Sequence, residues 1–190
     1  MTSGDPVQGD TQWARYEVFQ QTRSAAPFAN VGSVHAPDAE IALQNARDVF
    51  VRRPQTRRLW VVPASAILSR TAEEIAAEDW PALEHSSTGE RTRFHVFRKT
   101  SQRRSMTYVT QSGEVRAASA TEALRLALDR FGSDGPTFVW WIVPADAVFT
   151  SRDEDAESMF EPAHDKDYRM PAQYRTQTMM RELEEQDGTA

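Results

Sequence analysis

A chain of 190 residues is long enough for one large domain or two small ones. At 39% hydrophobic residues and mean hydropathy −0.61 it can build a modest core under a generous polar surface. The net charge of −6, with Lys only at Lys99 and Lys166, argues against nucleic acid as a partner, because such binding draws on phosphate neutralisation. The absence of Cys excludes disulfides, thiolate metal sites and a Cys nucleophile.

Taken in chain order, the first dozen residues, MTSGDPVQGDTQ, carry neither the basic nor the apolar region of a signal peptide and read as disordered. No apolar run approaches the ~20 residues of a membrane helix. A cytoplasmic protein without membrane contact is expected. RYEVF (15–19) is a short β-rich run, and NVGSVHA (30–36) is strand-like. A helix follows, because Ala39, Ala42, Leu43, Ala46, Val49 and Phe50 share one face, with Asp38 as its N-cap. The apolar run LWVV (59–62) predicts a strand covered on both sides, ended by Pro63. ASAI then predicts a short helical turn.

The same phrases recur. RFHVF (93–97) matches RYEVF at an offset of 78 residues. Ala36, Ala39, Ala42, Leu43, Ala46, Asp48 and Phe50 fall on Ala117, Ala120, Ala123, Leu124, Ala127, Asp129 and Phe131 at an offset of 81. WWIVPADAV (140–148) repeats LWVVPASAI (59–67) at that same offset. The second copy thus has three more residues between its first two strands, where SMTYVTQSGEVRA includes a Ser-Gly suited to a turn or bulge. Its helix opens on Ser119-Ala-Thr-Glu122, a capping box in which Glu122 reaches back to the Ser119 amide. GSDG (132–135) reads as the helix stop and a turn.

The predicted fold is α+β, two ββαβ repeats packed as an intramolecular pseudo-dimer. The boundaries are a disordered N-terminus 1–12, a first repeat 13–70, a linker 71–92, a second repeat 93–152 and an extended C-terminal tail 153–190. A strand–helix–strand step that joins parallel neighbours should be right-handed. AEEIAAE in the linker can form a short helix. The tail shows no period but is rich in aromatic residues and Met. It either wraps the chain's own core or docks on a partner through Phe160, Pro162, Tyr168, Met170, Pro171 and Tyr174, residue types favoured in interface cores.

No catalytic template is met. There is no Gly-rich phosphate loop and no G-x-S-x-G. One Glu-x-x-His, Glu161 to His164, contains Pro and stands alone, whereas a di-iron bundle site needs two such motifs and further carboxylates. No catalytic, cofactor or metal residue is assigned, and no cofactor is expected. Glu17 and His95 hold equivalent places in the two first strands. They are read as the wet face of amphipathic strands, with an acid–base pair across a pseudo-twofold axis as the alternative. Arg52, Arg53, Arg57 and Arg58 complement a helix C-terminus, or contact an acidic partner or the phosphates of a coenzyme A ester.

RYEVFQQ, NVGSVHAPDAEIALQNARDVFVRR and LWVVPASAI together resemble the B subunit family of the bacterial phenylacetyl-CoA 1,2-epoxidase. The first copy matches strongly, the second is more diverged, and the tail FEPAHDKDYRMPAQY resembles the end of the single-unit proteins. The resemblance implies a non-catalytic bridging subunit of a multicomponent di-iron monooxygenase in phenylacetate catabolism. The implied partners are the catalytic di-iron subunit and its structural partner subunit, with self-association as a further possibility. The duplication leaves the stoichiometry open. A standalone ligand-binding domain or enzyme with a cleft between the repeats is the competing reading, and a regulatory module that senses an acyl-CoA is a third.

Overall fold

The computed structural model describes residues 12–51, 56–77, 90–102 and 108–163. The disorder expected over the N-terminus, and the tail residues Tyr168, Met170, Pro171 and Tyr174, lie outside the described residues, Gln12 excepted. The chain is α+β, and among the described residues eight strands form one antiparallel sheet.

In chain order, β1 (Arg15–Gln21), β2 (Ala29–His35), α1 (Ala39–Phe50) and β3 (Arg58–Pro63) come first. A 3₁₀ turn (Ala64–Ala66), β4 (Leu68–Thr71) and α2 (Ala72–Ala77) follow. The series then repeats as β5 (Thr92–Lys99), β6 (Thr110–Ala117), α3 (Ala120–Phe131), β7 (Val139–Pro144), a 3₁₀ turn (Ala145–Ala147), β8 (Phe149–Thr150) and α4 (Ala156–Phe160). Both β3 and β7 stop at proline, which offers no N–H to a ladder.

The helices start where their caps dictate. Asp38 Oδ1 accepts from the Ile41 N–H at 2.8 Å, and Ser119 Oγ from the Glu122 N–H at 3.1 Å. The Glu122 carboxylate returns to the Ala118 N–H at 2.8 Å, one residue before the expected Ser119, and also meets Arg91 at 2.9 Å. The linker helix α2 has a reciprocal box of its own. Glu74 Oε2 accepts from the Thr71 N–H at 2.7 Å, and Thr71 Oγ1 from the Glu74 N–H at 3.1 Å. Helix α3 ends at Phe131 with Gly132 still right-handed, and the left-handed turn position falls to Gly135, φ +103°.

The strand order is β4-β7-β5-β6-β2-β1-β3-β8. The strands joined by α1, β2 and β3, are parallel but not neighbours, because β1 lies between them and pairs antiparallel with both. The same holds for β6, β5 and β7. Phe19 faces Trp60 in one register and Phe97 faces Trp141 in the other. The two ends of the row are exchanged. β4 follows β3 yet pairs with β7, and β8 follows β7 yet pairs with β3.

The sheet cannot be flat. Between β1 and β5 lie β2 and β6, so a flat sheet would separate them by about 14 Å. The Phe19 and Phe97 rings are 4.4 Å apart, centroid to centroid. The row therefore curls round a shared inner core of Phe19, Phe28, Val62, Phe97, Val109, Val139, Trp141 and Val143. Alternate residues point away, under the helices. Tyr16, Val18, Leu59 and Val61 lie beneath Ala42, Leu43 and Ala46 of α1. Phe94, Val96, Trp140 and Ile142 lie beneath Ala123, Leu124 and Ala127 of α3. The small residues let each helix sit close on its strands.

The region after Thr150 is not irregular throughout. Helix α4 and a 3₁₀ turn (Glu161–Ala163) carry Met159, Phe160 and Ala163 onto the core under α1. Ile75 of α2 packs on the core under α3. Each segment that follows one unit thus finishes the core of the other.

Bulges in the register of β1 with β2 and of β5 with β6 bring Gly32 and Gly113 under the last phenylalanine of each helix. A Cβ on Gly32, φ +137°, would lie 2.7 Å from the Phe50 ring, and one on Gly113 2.6 Å from the Phe131 ring. Gly32→Ala should therefore lower the unfolding free energy by about 1–3 kcal/mol, from backbone strain and the ring displaced; a urea midpoint equal to wild type would refute this contact. Phe160→Ala, which empties a site 6% exposed, should cost about 3–5 kcal/mol in the same measurement. A loss under about 1 kcal/mol would mean that α4 contributes nothing to the first unit's core.

Candidate functional site

The two polar residues of the first strands are neither wet nor paired with each other. Glu17 is 8% exposed and His95 6%. Alternation along β1 and β5 places them on the same side as Phe19 and Phe97, and the curl of the sheet covers that side. Each is answered within its own unit. Glu17 Oε2 accepts from Asn30 Nδ2 at 3.1 Å, and Oε1 lies 3.3 Å from Arg15 Nε. His95 Nδ1 lies 3.1 Å from Glu114 Oε1 and 3.3 Å from Gln111 Nε2. The indole of Trp60, from the other unit, rests against the imidazole with centroids 4.7 Å apart.

Burial pushes the Glu17 pKa up, against the opposing Asn30 hydrogen bond and Arg15 charge. Burial pushes the His95 pKa down, and the Arg93 charge adds to this, while Glu114 opposes it. Burial thus disfavours the charged imidazolium of His95, which is enclosed by Trp60, Glu114 and Gln111.

Of the arginines after α1, Arg52 and Arg53 lie outside the described residues. Arg58 Nη2 reaches both carboxylate oxygens of Asp153, Oδ2 at 2.6 Å. It pins the segment after the second unit onto the first. Arg57 is exposed, and its N–H donates to the Gln21 carbonyl at 2.8 Å. Of the six tail residues, Phe160 is buried in the chain's own core and Pro162 faces solvent. Glu161 is exposed and His164 lies outside the described residues. Among the described residues no three His, Asp or Glu are gathered to hold a metal ion, and no helix is long and apolar enough to cross a membrane.

Sequence reading passed over one feature. Arg93, Glu114, Val115, Arg116 and Arg130 line an open cleft of about 270 Å³ beside β6. They come from a strand, its neighbour and a helix, so no local motif marks them. The only signal is two arginines, Arg93 and Arg116, on the inward-facing alternation of paired strands.

These observations define a small α+β protein of two like units whose buried polar side chains, Glu17 and His95, are each met by partners in the same unit. The chain belongs to the phenylacetic acid degradation B family, whose family model matches residues 12–84 and again 90–181. Over 62 residues it is 44% identical to the B subunit of the 1,2-phenylacetyl-CoA epoxidase of Escherichia coli (strain K12). The chain spans 65% of that curated relative's length, and the match takes up 33% of this chain. No solved structure matches the chain.

The His95 pKa shift has a direct consequence. As pH falls, the unfolded chain takes up this proton before the folded one. The stability that neutral His95 contributes is complete above the ordinary imidazole value of about 6.5 and is lost below it, with a limiting slope of about 1.4 kcal/mol per pH unit. The urea midpoint of the wild type should fall more than that of His95→Gln between about pH 7.5 and 5.5. Equal falls would show that His95 titrates alike in both states. Glu17 contributes in the opposite sense, since its raised pKa costs stability as pH rises, and it is common to both proteins.

Proposed function

We propose that this chain is a non-catalytic, bridging subunit of a bacterial multicomponent phenylacetyl-CoA ring epoxidase, its two ββαβ units forming an intramolecular pseudo-dimer. In this reading it holds the catalytic di-iron oxygenase subunit and that subunit's structural partner, and works in the cytoplasm. The carrying observation is that the family model matches the chain twice, over 12–84 and 90–181. Supporting it, the strand order reads the same from the middle outward in both directions, β6-β5-β7-β4 and β2-β1-β3-β8. The competing enzyme reading needs a cleft between the repeats, where the Phe19 and Phe97 rings instead meet. One fused chain then takes the place of two single units.

The exposed Pro162, with Tyr168, Met170, Pro171 and Tyr174 further along the tail, supplies the partner contact in this reading. Phe160 and Ala163 belong to the core, so a truncation that separates docking from folding must fall after Ala163. The full chain should co-purify with the catalytic di-iron subunit of such an epoxidase when the two are produced together. The chain ending at Ala163 should keep its thermal midpoint within about 3 °C, a shift of less than ~1 kcal/mol for a chain of this size, and lose most of the co-purified partner. Failure of the full chain to co-purify would remove the bridging reading. Retention by the truncated chain would remove only the tail from it.

A further inference from the structure

Among the described residues, the edge of β6 is unpaired beyond its short overlap with β2. The overlap consists of the Asn30 N–H donating to the Val109 carbonyl at 2.9 Å, the Gln111 N–H to Phe28 at 2.8 Å and the Tyr108 N–H to Asn30 at 3.3 Å. The bulge then changes which residues turn their backbone N–H and carbonyl toward the edge, and Glu114 and Arg116 take that role. The Glu114 carbonyl accepts from Arg130 Nη1 at 3.1 Å. Arg116, two residues on, presents its N–H and carbonyl on the same side, where no described strand pairs with it.

This edge carries an unbalanced charge. Arg93 and Arg116 stand directly opposite each other on β5 and β6. Like charges in that relation destabilise a sheet. Glu114 is the one carboxylate in the cleft, 3.9 Å from Arg93 and turned toward His95. The Arg116 side chain has no hydrogen bond or ion pair among the described residues. Three guanidiniums therefore face one carboxylate, on a chain of net charge −6. The matching positions of the first unit hold Arg15, Ser33, His35 and Val49. There Arg15 is tied to Glu17 at 3.3 Å, and His35 Nδ1 lies 2.8 Å from the Trp13 carbonyl. The basic edge belongs to the second unit.

We propose that the free edge of β6, with Arg93, Arg116 and Arg130, is a docking site for an acidic, extended segment of a partner protein. The segment adds to β6 as a strand and sets alternate carboxylates against the guanidiniums. A strand edge with unpaired backbone groups suits an extended chain. A small oxyanion finds less here, because the Arg93 side chain is 58% exposed and such an ion stays hydrated between exposed arginines.

The test uses the full chain alone, labelled for amide and arginine Nε–H shifts, titrated with a capped hexapeptide of alternating Glu and Val. Inorganic pyrophosphate and the Lys–Val hexapeptide are run beside it. Binding of the Glu–Val peptide should move the Glu114, Arg116 and Ala117 amides and the Nε–H signals of Arg93, Arg116 and Arg130. Arg116→Glu should weaken it by about tenfold with an unchanged thermal midpoint, and Arg93→Gln by less. Glu114→Gln should tighten it. Shifts confined to other residues, no saturable shift, or equal response to the Lys–Val peptide would overturn the proposal. So would pyrophosphate moving the same signals with equal affinity, which would mark a small-oxyanion site instead.

Discussion

The contact between Phe19 and Phe97 holds the architecture together. Each unit alone has one helix on one side of three strands, and a unit under 100 residues buries too little area to be comfortable by itself. Its second sheet face would carry Phe19, Phe28 and Val62, or Phe97, Val109 and Trp141, into water. Bringing those faces together turns two half-cores into three layers of apolar packing. The curl of the sheet, the burial of Glu17 and His95, and the exchange of β4 and β8 all follow from that closure. The exchange places each terminal strand on the unit it does not follow, so the ends of the sheet are tied across the shared core.

Much of this was legible in the residues. The helical period of Ala39 to Phe50, the caps Asp38 and Ser119, and the prolines that end β3 and β7 all appear where local chemistry places them. The 81-residue repeat also marks Gly32 with Gly113 and Phe50 with Phe131 as matched pairs, which become the bulge contacts. What was not legible depends on closure. A period of two cannot tell whether the second face of a strand is wet or covered by another sheet, and so Glu17 and His95 read as solvent-facing. LSRT and FT are too short to alternate, so β4 and β8 were not anticipated. The aromatic residues after Asp155 suggested a partner, and Phe160 found its partner in α1's core instead. The cleft arginines are brought together only by pairing and by the reach of α3.

The two halves share a frame and differ in its chemistry. Asn30 binds Glu17 where Gln111 meets His95. Gln20 bonds to Thr56 in one unit, whereas Arg98 in the matching place bonds to Ser112 Oγ at 2.7 Å and to the Phe131 carbonyl at the end of α3. It also lies 5.6 Å from the Trp140 ring centroid and 5.8 Å from that of Phe131. Apolar positions that face a core repeat closely, because volume and period constrain them. Polar positions at the mouths of the cores differ, because several hydrogen-bonding sets satisfy the same geometry. A symmetric assembly of identical chains cannot differ in this way between its halves, whereas one chain that holds both halves can offer two unlike surfaces on one scaffold.

The strand exchange also sets an order of events during synthesis. β3 cannot gain its outer neighbour until Phe149 and Thr150 have been made, and β4 has no partner until β7 exists. The first unit therefore emerges from the ribosome with a bare strand edge, an open aromatic face and no α4. Pairings over such sequence separations are slow to form, and exposed edges and apolar faces in the interval invite association with other chains. Everything from β5 to α4 must be made before the first half gains the residues that finish it.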